Sequence, residues 1–361
     1  MRVREKLKKI SDRFWTFSDK FDYDSILERN TQPFLGEIPK FLDAEINDSF
    51  THENRRWIHT EYIKRLRRKI VIEPEYAHCI TGFNIIVKSS VFHPGLTPSF
   101  PRYILHFFNR NRSFYPKVIL FDGQVGTNYF HFFSDVFSKI WLIQKIEGYE
   151  NLPIIIGEKT FNTKYFQRLL RQPEIKKLNW VIQKKNHYIS TNELFLVKAM
   201  PYKKEYFAKV KKMLIDQDST VSKRVFLNRS KKTGRYIENF LEIQPILKKY
   251  HFEIVDTDKT TLDYQASLFN SIHCLIGIHG AGETNIIFAK QNLRLLEINP
   301  ANRISCHYYW LSKEVGIEYY DVILGGELPS TNDYPEKGFY LEPKSLDEAI
   351  ARMFNHKTHN A

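Results

Sequence analysis

The second half of the chain repeats one pattern, a short apolar run followed by a longer stretch with apolar positions at helical spacing. Runs at Arg224–Leu227, Phe252–Val255, Cys274–Ile278, Leu293–Ile298 and Glu318–Leu324 read as buried strands. Between them, Asn239–Tyr250, Leu262–Asn270, Thr284–Ala289 and His307–Val315 read as helices. Five strands alternating with helices predict a parallel, doubly wound sheet. Ligands bind such sheets at the carboxyl ends of the strands. Here that edge collects Arg229, the turn His279–Gly282, and Glu297 with Asn299.

The first half is less regular. Residues 1–70 read as largely helical or irregular, and Ile70–Ile72 and Gly82–Lys88 as short strands. Lys117–Phe121 and Pro153–Ile156 read as buried parallel strands around one helix, Asn128–Lys145, with a further strand at Leu194–Val197. The polar stretch Met200–Val221 marks a boundary. The expected organisation is an acceptor-side domain over 1–210, a nucleotide-binding domain over 211–335, and a closing segment over 336–361. A capping box at Ser345 and Glu348 starts a last helix, expected to pack back on the first domain.

Gly277-Ile278-His279-Gly280-Ala281-Gly282-Glu283-Thr284-Asn285 joins a strand to a helix through glycines. Such a turn suits an anion, because glycine allows close backbone approach and the first helical amides lack intrahelical acceptors. A tight turn without ligand is the structural alternative. His279 fits either a phosphate contact or a bond to a backbone carbonyl. Glu297 fits a nucleotide ribose, since a carboxylate can accept from two vicinal hydroxyls, or an ordinary surface position. Upstream, His131 and Asp135 stand four apart on the helix expected over 128–145, so they share a face and can hydrogen-bond. A carboxylate fixes the tautomer of an imidazole and raises its basicity, as a general base requires.

Taken in order, Asn128-Tyr129-Phe130-His131-Phe132-Phe133-Ser134-Asp135, Phe226-Leu227-Asn228-Arg229, Arg235, Asn239-Phe240-Leu241-Glu242, Gln265, His279–Asn285 and Leu296-Glu297-Ile298-Asn299-Pro300 resemble glycosyltransferase family 61, the DUF563 group. The resemblance covers roughly residues 115 to 325. It implies an α/β, GT-B-like fold of two facing Rossmann-like domains with parallel sheets, and inverting transfer from a nucleotide sugar. No cofactor or obligatory metal is implied, and a UDP-linked sugar is the expected donor. His131 and Asp135 become the catalytic candidates, either of them the base. Arg229, Arg235, His279, Gly280, Ala281, Gly282, Glu283, Thr284, Asn285 and Glu297 become the donor-binding candidates, with Asn128 and Tyr129 on the acceptor side. Glu283 departs from the family, which has an apolar residue there. A carboxylate in the first turn would repel a diphosphate unless it points away or meets a sugar hydroxyl.

Composition narrows the remaining choices. At 361 residues, 42% hydrophobic and 15% aromatic, the chain can build two cores. Cys79, Cys274 and Cys306 are scattered and lack metal-ligand spacing, which suggests neither disulfides nor zinc and fits a reducing cytoplasm. No stretch approaches the roughly 20 apolar residues of a bilayer span, and Met1-Arg2-Val3-Arg4 does not lead into a signal-peptide core. The formal charge of +13 favours anionic partners. On a helix Val3, Leu7, Ile10, Phe14 and Phe17 would share a face flanked by basic residues, either lying on an anionic membrane or packed on its own domain. The basic cluster around Trp57, Tyr62 and Leu66 reads as a second peripheral surface or a core helix.

The expected function is therefore glycosyl transfer to a glycan or lipid-linked glycan, in bacterial capsule or lipopolysaccharide assembly, in the cytoplasm or on the inner membrane face. A basic nucleic-acid-binding protein without catalysis is the alternative, although no recognised nucleic-acid motif is present. His-Gly-Ala-Gly also resembles an esterase oxyanion loop, but no Gly-x-Ser-x-Gly elbow accompanies it.

Overall fold

The computed structural model describes residues 12–31, 45–50, 59–91, 96–106, 111–122, 125–329 and 337–356. The chain forms two compact units. The first comprises Met1–Thr31 and His59–Pro201, the second Gln32–Ile58 and Tyr202–Ala361.

The second unit holds a five-stranded, all-parallel sheet of β10 (Lys223–Leu227), β11 (Glu253–Val255), β12 (Ile272–Ile278), β13 (Arg294–Pro300) and β14 (Tyr319–Gly325), in the order β11-β10-β12-β13-β14. Every strand matches an apolar run of the sequence. The order reverses between β10 and β12, and ligands bind such sheets outside the carboxyl ends at that reversal. Alternation along the strands assigns the two faces. Phe226, Ile276, Ile278, Leu296 and Ile298 form one core with Ile243 and Leu247 of helix Phe240–Lys249 and with Leu346, Ala349, Ile350 and Met353 of helix Pro343–Asn355. The closing helix therefore packs within its own unit, not on the N-terminal domain as the sequence suggested. Its apolar stripe has a sheet face to cover there. Gly277, Glu297 and Asn299, on alternate positions, belong to the opposite face.

The first unit is a nine-stranded mixed sheet, where the sequence suggested parallel strands. Strands β1 (Thr16–Ser18), β5 (Ile85–Val87), β4 (Cys79–Thr81), β3 (His59–Ile72), β9 (Tyr188–Lys198), β6 (Arg112–Leu120), β7 (Ile154–Gly157) and β8 (Trp180–Gln183) follow in that order, and β2 (Asp24–Thr31) also pairs with β3. Only β9-β6-β7-β8 and the β1–β5 pair are parallel. Strand β3 pairs antiparallel with β2, β4 and β9, and β4 with β5. The links β3–β4 and β4–β5 are too short for the crossover that parallel pairing needs.

Strand β3 also replaces the helix or irregular stretch expected before residue 70. Tyr62, Leu66, Ile70 and Ile72 alternate into the core, while basic side chains between them obscure the period of two. Those charges are covered locally: Lys64 lies 4.6 Å from the Tyr23 ring centroid and Arg68 4.4 Å from that of Phe21. Arg65 bonds Glu193 at 2.6 Å. Residues 1–11 of the basic amphipathic segment lie outside the described residues; Thr16–Ser18, its end, is strand rather than helix.

Candidate functional site

The segment expected as one helix over 128–145 is broken. Tyr129–His131 is a single α turn, Phe132–Val136 a π turn closed by Phe137 N–H to Phe132 C=O at 2.7 Å, and Lys139–Ile143 a second α turn. Widened turns of this kind cluster at functional sites. Asn128 caps the start, its Oδ1 accepting from the His131 amide at 3.2 Å. Tyr129 packs edge-on against Phe133 and Tyr165 at 5.0 and 5.3 Å, and burial pushes its phenol up.

His131 Nδ1 lies 3.0 Å from Asp135 Oδ2, the two side chains 25% and 20% exposed. The Ser134 hydroxyl donates to the same oxygen. A carboxylate on Nδ1 fixes the tautomer and the orientation of the ring. Behind the pair, the buried Lys139 ammonium donates to the Phe121 carbonyl at 2.8 Å, at the carboxyl end of β6. Burial, opposed by the charges of Asp122 and Asp135, brings it down to about 8.

In the second unit the glycine-rich turn occupies the carboxyl end of β12. The following helix is a 3-10 segment, Ala281–Phe288. Its glycines make room for protein side chains. A Cβ on Gly280 would stand 1.6 Å from Arg229 Nη1, one on Gly277 2.2 Å from Glu283 Oε1, and one on Gly282 3.2 Å from Leu227 Cδ2. Arg229 in turn bonds three carbonyls: Nη1 to His279 at 2.9 Å, Nε to Gly234 at 3.1 Å and Nη2 to Thr233 at 3.1 Å. It is foremost the clamp joining the loop after β10 to the turn after β12. Asn285 stitches the same region, donating to Gln265 Oε1 at 2.8 Å and to the Gly282 carbonyl at 2.9 Å.

Arg235 Nη1 reaches the His279 carbonyl at 3.3 Å, and its backbone holds φ at 52°. That conformation is uncommon outside glycine, and such strain gathers at functional sites. Two guanidiniums on one carbonyl repel each other. Burial first, then Arg235, brings Arg229 down to about 10, and the same two causes lower Arg303, in the turn after β13. Three arginines thus gather at the carboxyl edge. Arg303 is absent from the sequence candidates because nothing in its local pattern separates it from any other surface arginine.

Beneath this edge is a buried network. His279 Nδ1 and Glu297 Oε1 are 2.5 Å apart, and Tyr320 donates its hydroxyl to Glu297 Oε2. Glu297, wholly inaccessible, is thereby committed on both oxygens; it is neither a surface carboxylate nor open to a ribose. Tyr308 donates to the Gly280 carbonyl at 2.6 Å. Neither tyrosine stands out in the sequence, where Tyr308 falls in an expected helix and Tyr320 in an expected strand. Glu283 also turns inward, over Gly277, which removes the expected clash with a diphosphate. Burial, then the charge of Glu297, pushes its carboxyl well above the ordinary range, against the opposing charges of Arg229 and Arg235. Thr284 is buried with it, and Ala281 opens the turn half-buried.

The ligating atoms of His279, Glu283 and Glu297 lie within 4.8 Å of one another, a spacing that could hold a metal ion. The short His279–Glu297 bond and the positive charge of Arg229 and Arg235 beside Glu283 favour a shared proton over a cation.

Residues 129–296 match the model of the family described as Glycosyltransferase 61. The chain is also similar to an alpha-1,3-arabinosyltransferase of Oryza sativa subsp. japonica, 27% identical over 118 residues. The match covers 29% of this chain and spans only 20% of that relative's length.

Proposed function

We propose, from the premise that this chain belongs through residues 129–296 to glycosyltransferase family 61, that it moves a sugar from a nucleotide-sugar donor to a glycan acceptor. The observation that carries this reading is the gathering of Arg229, Arg235 and Arg303 at the carboxyl edge where the strand order reverses. A diphosphate leaving group needs positive charge and backbone amides placed before the reaction starts. Arg235 and Arg303 face that task, and Arg229 fixes the loop that presents them.

His131 is the proposed base. As the acceptor oxygen attacks the anomeric carbon from the side opposite the leaving nucleoside diphosphate, His131 takes the hydroxyl proton and Asp135 steadies the imidazolium. The configuration inverts because one displacement occurs, in a GT-B arrangement without a metal. The acceptor class we propose is a capsular or lipopolysaccharide glycan at an anionic membrane face. The activity named for the rice relative makes a pentose donor the first alternative to hexoses.

Calorimetric titration of the full chain with UDP and a panel of UDP-sugars tests the reading. Binding that weakens by about 1.5–3 kcal/mol in Arg235→Ala and Arg303→Ala supports it. A folded protein that binds none of the nucleotides or nucleotide sugars sinks it.

A further inference from the structure

We propose that an aromatic cluster of the first unit, Phe14, Phe83 and Phe100, docks this protein on an anionic lipid surface with the help of the basic stretch before Phe14. The inference deepens the membrane part of the proposed function and is independent of sugar transfer.

The cluster is contiguous and built. Phe14 and Phe100 stack with centroids 4.7 Å apart and planes 5° from parallel, and Phe83 meets Phe100 edge-on at 5.5 Å. Phe83 is 61% and Phe14 49% exposed, and Leu105, on the helix Phe100–Leu105, is exposed as well. Single exposed apolar side chains are ordinary, whereas joined aromatic rings in water mark a contact surface. These rings are also held in place. Trp15, buried beneath, meets Phe100 edge-on at 5.2 Å and donates Nε1 to the Pro98 carbonyl at 2.9 Å. Asn84 Nδ2 bonds the Phe14 carbonyl at 2.7 Å. Phe83 stands at the tip of the β4–β5 hairpin, where Gly82 turns the chain with φ of 59°.

Charge identifies the occupant. Arg2, Arg4, Lys6, Lys8, Lys9 and Arg13 outnumber Glu5 and Asp12 in the sequence leading into Phe14. Those residues precede Phe14 directly in the sequence, and Arg13 and Arg102 are exposed. Aromatic rings settle at headgroup depth, while basic residues are drawn to anionic lipid within a Debye length. A nucleic acid would want free ring faces for its bases, yet Phe14 and Phe100 turn a face to each other.

Cosedimentation of the full chain with phosphatidylcholine vesicles, with and without phosphatidylserine, tests the proposal. We expect binding to the phosphatidylserine vesicles. Phe83→Ser should lower the partition coefficient roughly three- to tenfold, and the Phe14→Ser/Phe83→Ser pair should lower it further. Leu241→Ser, at an 81% exposed position of the second unit, should change nothing. Parent-like binding by the double variant overturns the proposal. So does a parent that ignores vesicles, or one that prefers RNA to them. A Phe83→Ser variant that melts several degrees lower but binds vesicles as before also overturns it, since the ring is then covered by the chain's own N-terminal segment. Nucleotide titration of the same variants separates the two readings. Vesicle binding without nucleotide binding leaves this inference standing and removes the transferase.

Discussion

Each unit has a histidine whose Nδ1 is held by a carboxylate, and the two pairs differ in their exposure. His131 and Asp135 stand 3.0 Å apart, partly exposed, on a helix loosened by a π turn. His279 and Glu297 stand 2.5 Å apart, with Glu297 sealed from solvent and bonded again by Tyr320. Both side chains of the first pair reach solvent, whereas the carboxylate of the second does not. A histidine on a carboxylate is thus left within reach of solvent in one place, as the proposed proton transfer requires, and built into a buried network in the other.

The widest separation should come from removing each histidine. His131→Ala is expected to lower turnover by roughly 10²–10⁴-fold while leaving donor affinity and melting temperature nearly unchanged. His279→Ala should act mainly on stability, because it leaves Glu297 short of a partner in the core. A transfer assay run beside thermal unfolding reads both, and the comparison breaks if the two variants exchange phenotypes.

Arg229→Ala comes next. Three carbonyls lose the Arg229 donor, although Arg235 stays on that of His279, so urea unfolding should report a loss of about 2–4 kcal/mol, with nucleotide affinity falling as the turn loosens. Gly280→Ala should fail similarly but less, by about 1–3 kcal/mol, as the new Cβ displaces the guanidinium. Full stability in both variants would mean that the clamp does not hold the turn.

Lys139 sharpens the comparison from the open side. Its ordinary value of 10.5 falls to about 8 on folding, so between those values the unfolded chain binds the extra proton. Stability should therefore gain from this residue as pH rises from about 8, by at most about 1.4 kcal/mol per pH unit. Lys139→Met should flatten that slope, and an unchanged slope would mean that the ammonium is not desolvated.

Glu283 has the opposite sign and the smallest effect. A carboxyl raised on folding contributes stability that is complete below its unfolded value of about 4.5 and is lost as pH climbs through the folded one. Glu283→Gln imitates the neutral acid, so we expect a change within about 1 kcal/mol near neutrality and a weaker decline above pH 5. A loss of several kcal/mol would instead indicate an ionised carboxylate with a cation on it.

Legibility in the sequence followed solvation. The central strands of the second unit, β12 and β13, are almost wholly buried, and runs such as Cys274–Ile278 need no polar alternation, so they stand out. Strand β3 does not, because Lys64, Arg65 and Arg68 find their partners in Tyr23, Glu193 and Phe21, residues far away in sequence. The His131–Asp135 contact follows from a spacing of four. The commitment of Glu297 does not, since it depends on Tyr320, one strand over, and on alternation that turns it inward. The glycines were read correctly as places of close approach, but what approaches at Gly277 and Gly280 is a protein side chain.

Residues 45–50 carry one more implication. Ile46 and Phe50 are buried in the second unit; the Phe50 ring lies 5.6 Å from that of Tyr309, and its carbonyl lies against the thiol of Cys306, 256 positions later. On a ribosome Phe50 is made long before the wall it completes, and all of His59–Pro201 emerges in between. Closing so long a detour costs little at equilibrium, because chain-closure entropy grows only logarithmically. The burden is kinetic: Ile46 and Phe50, synthesised first, must wait with apolar surface uncovered for the rest of their unit. A gene fragment starting at Tyr202 would lack that segment altogether, so the unit is best produced by permuting the chain rather than by truncating it.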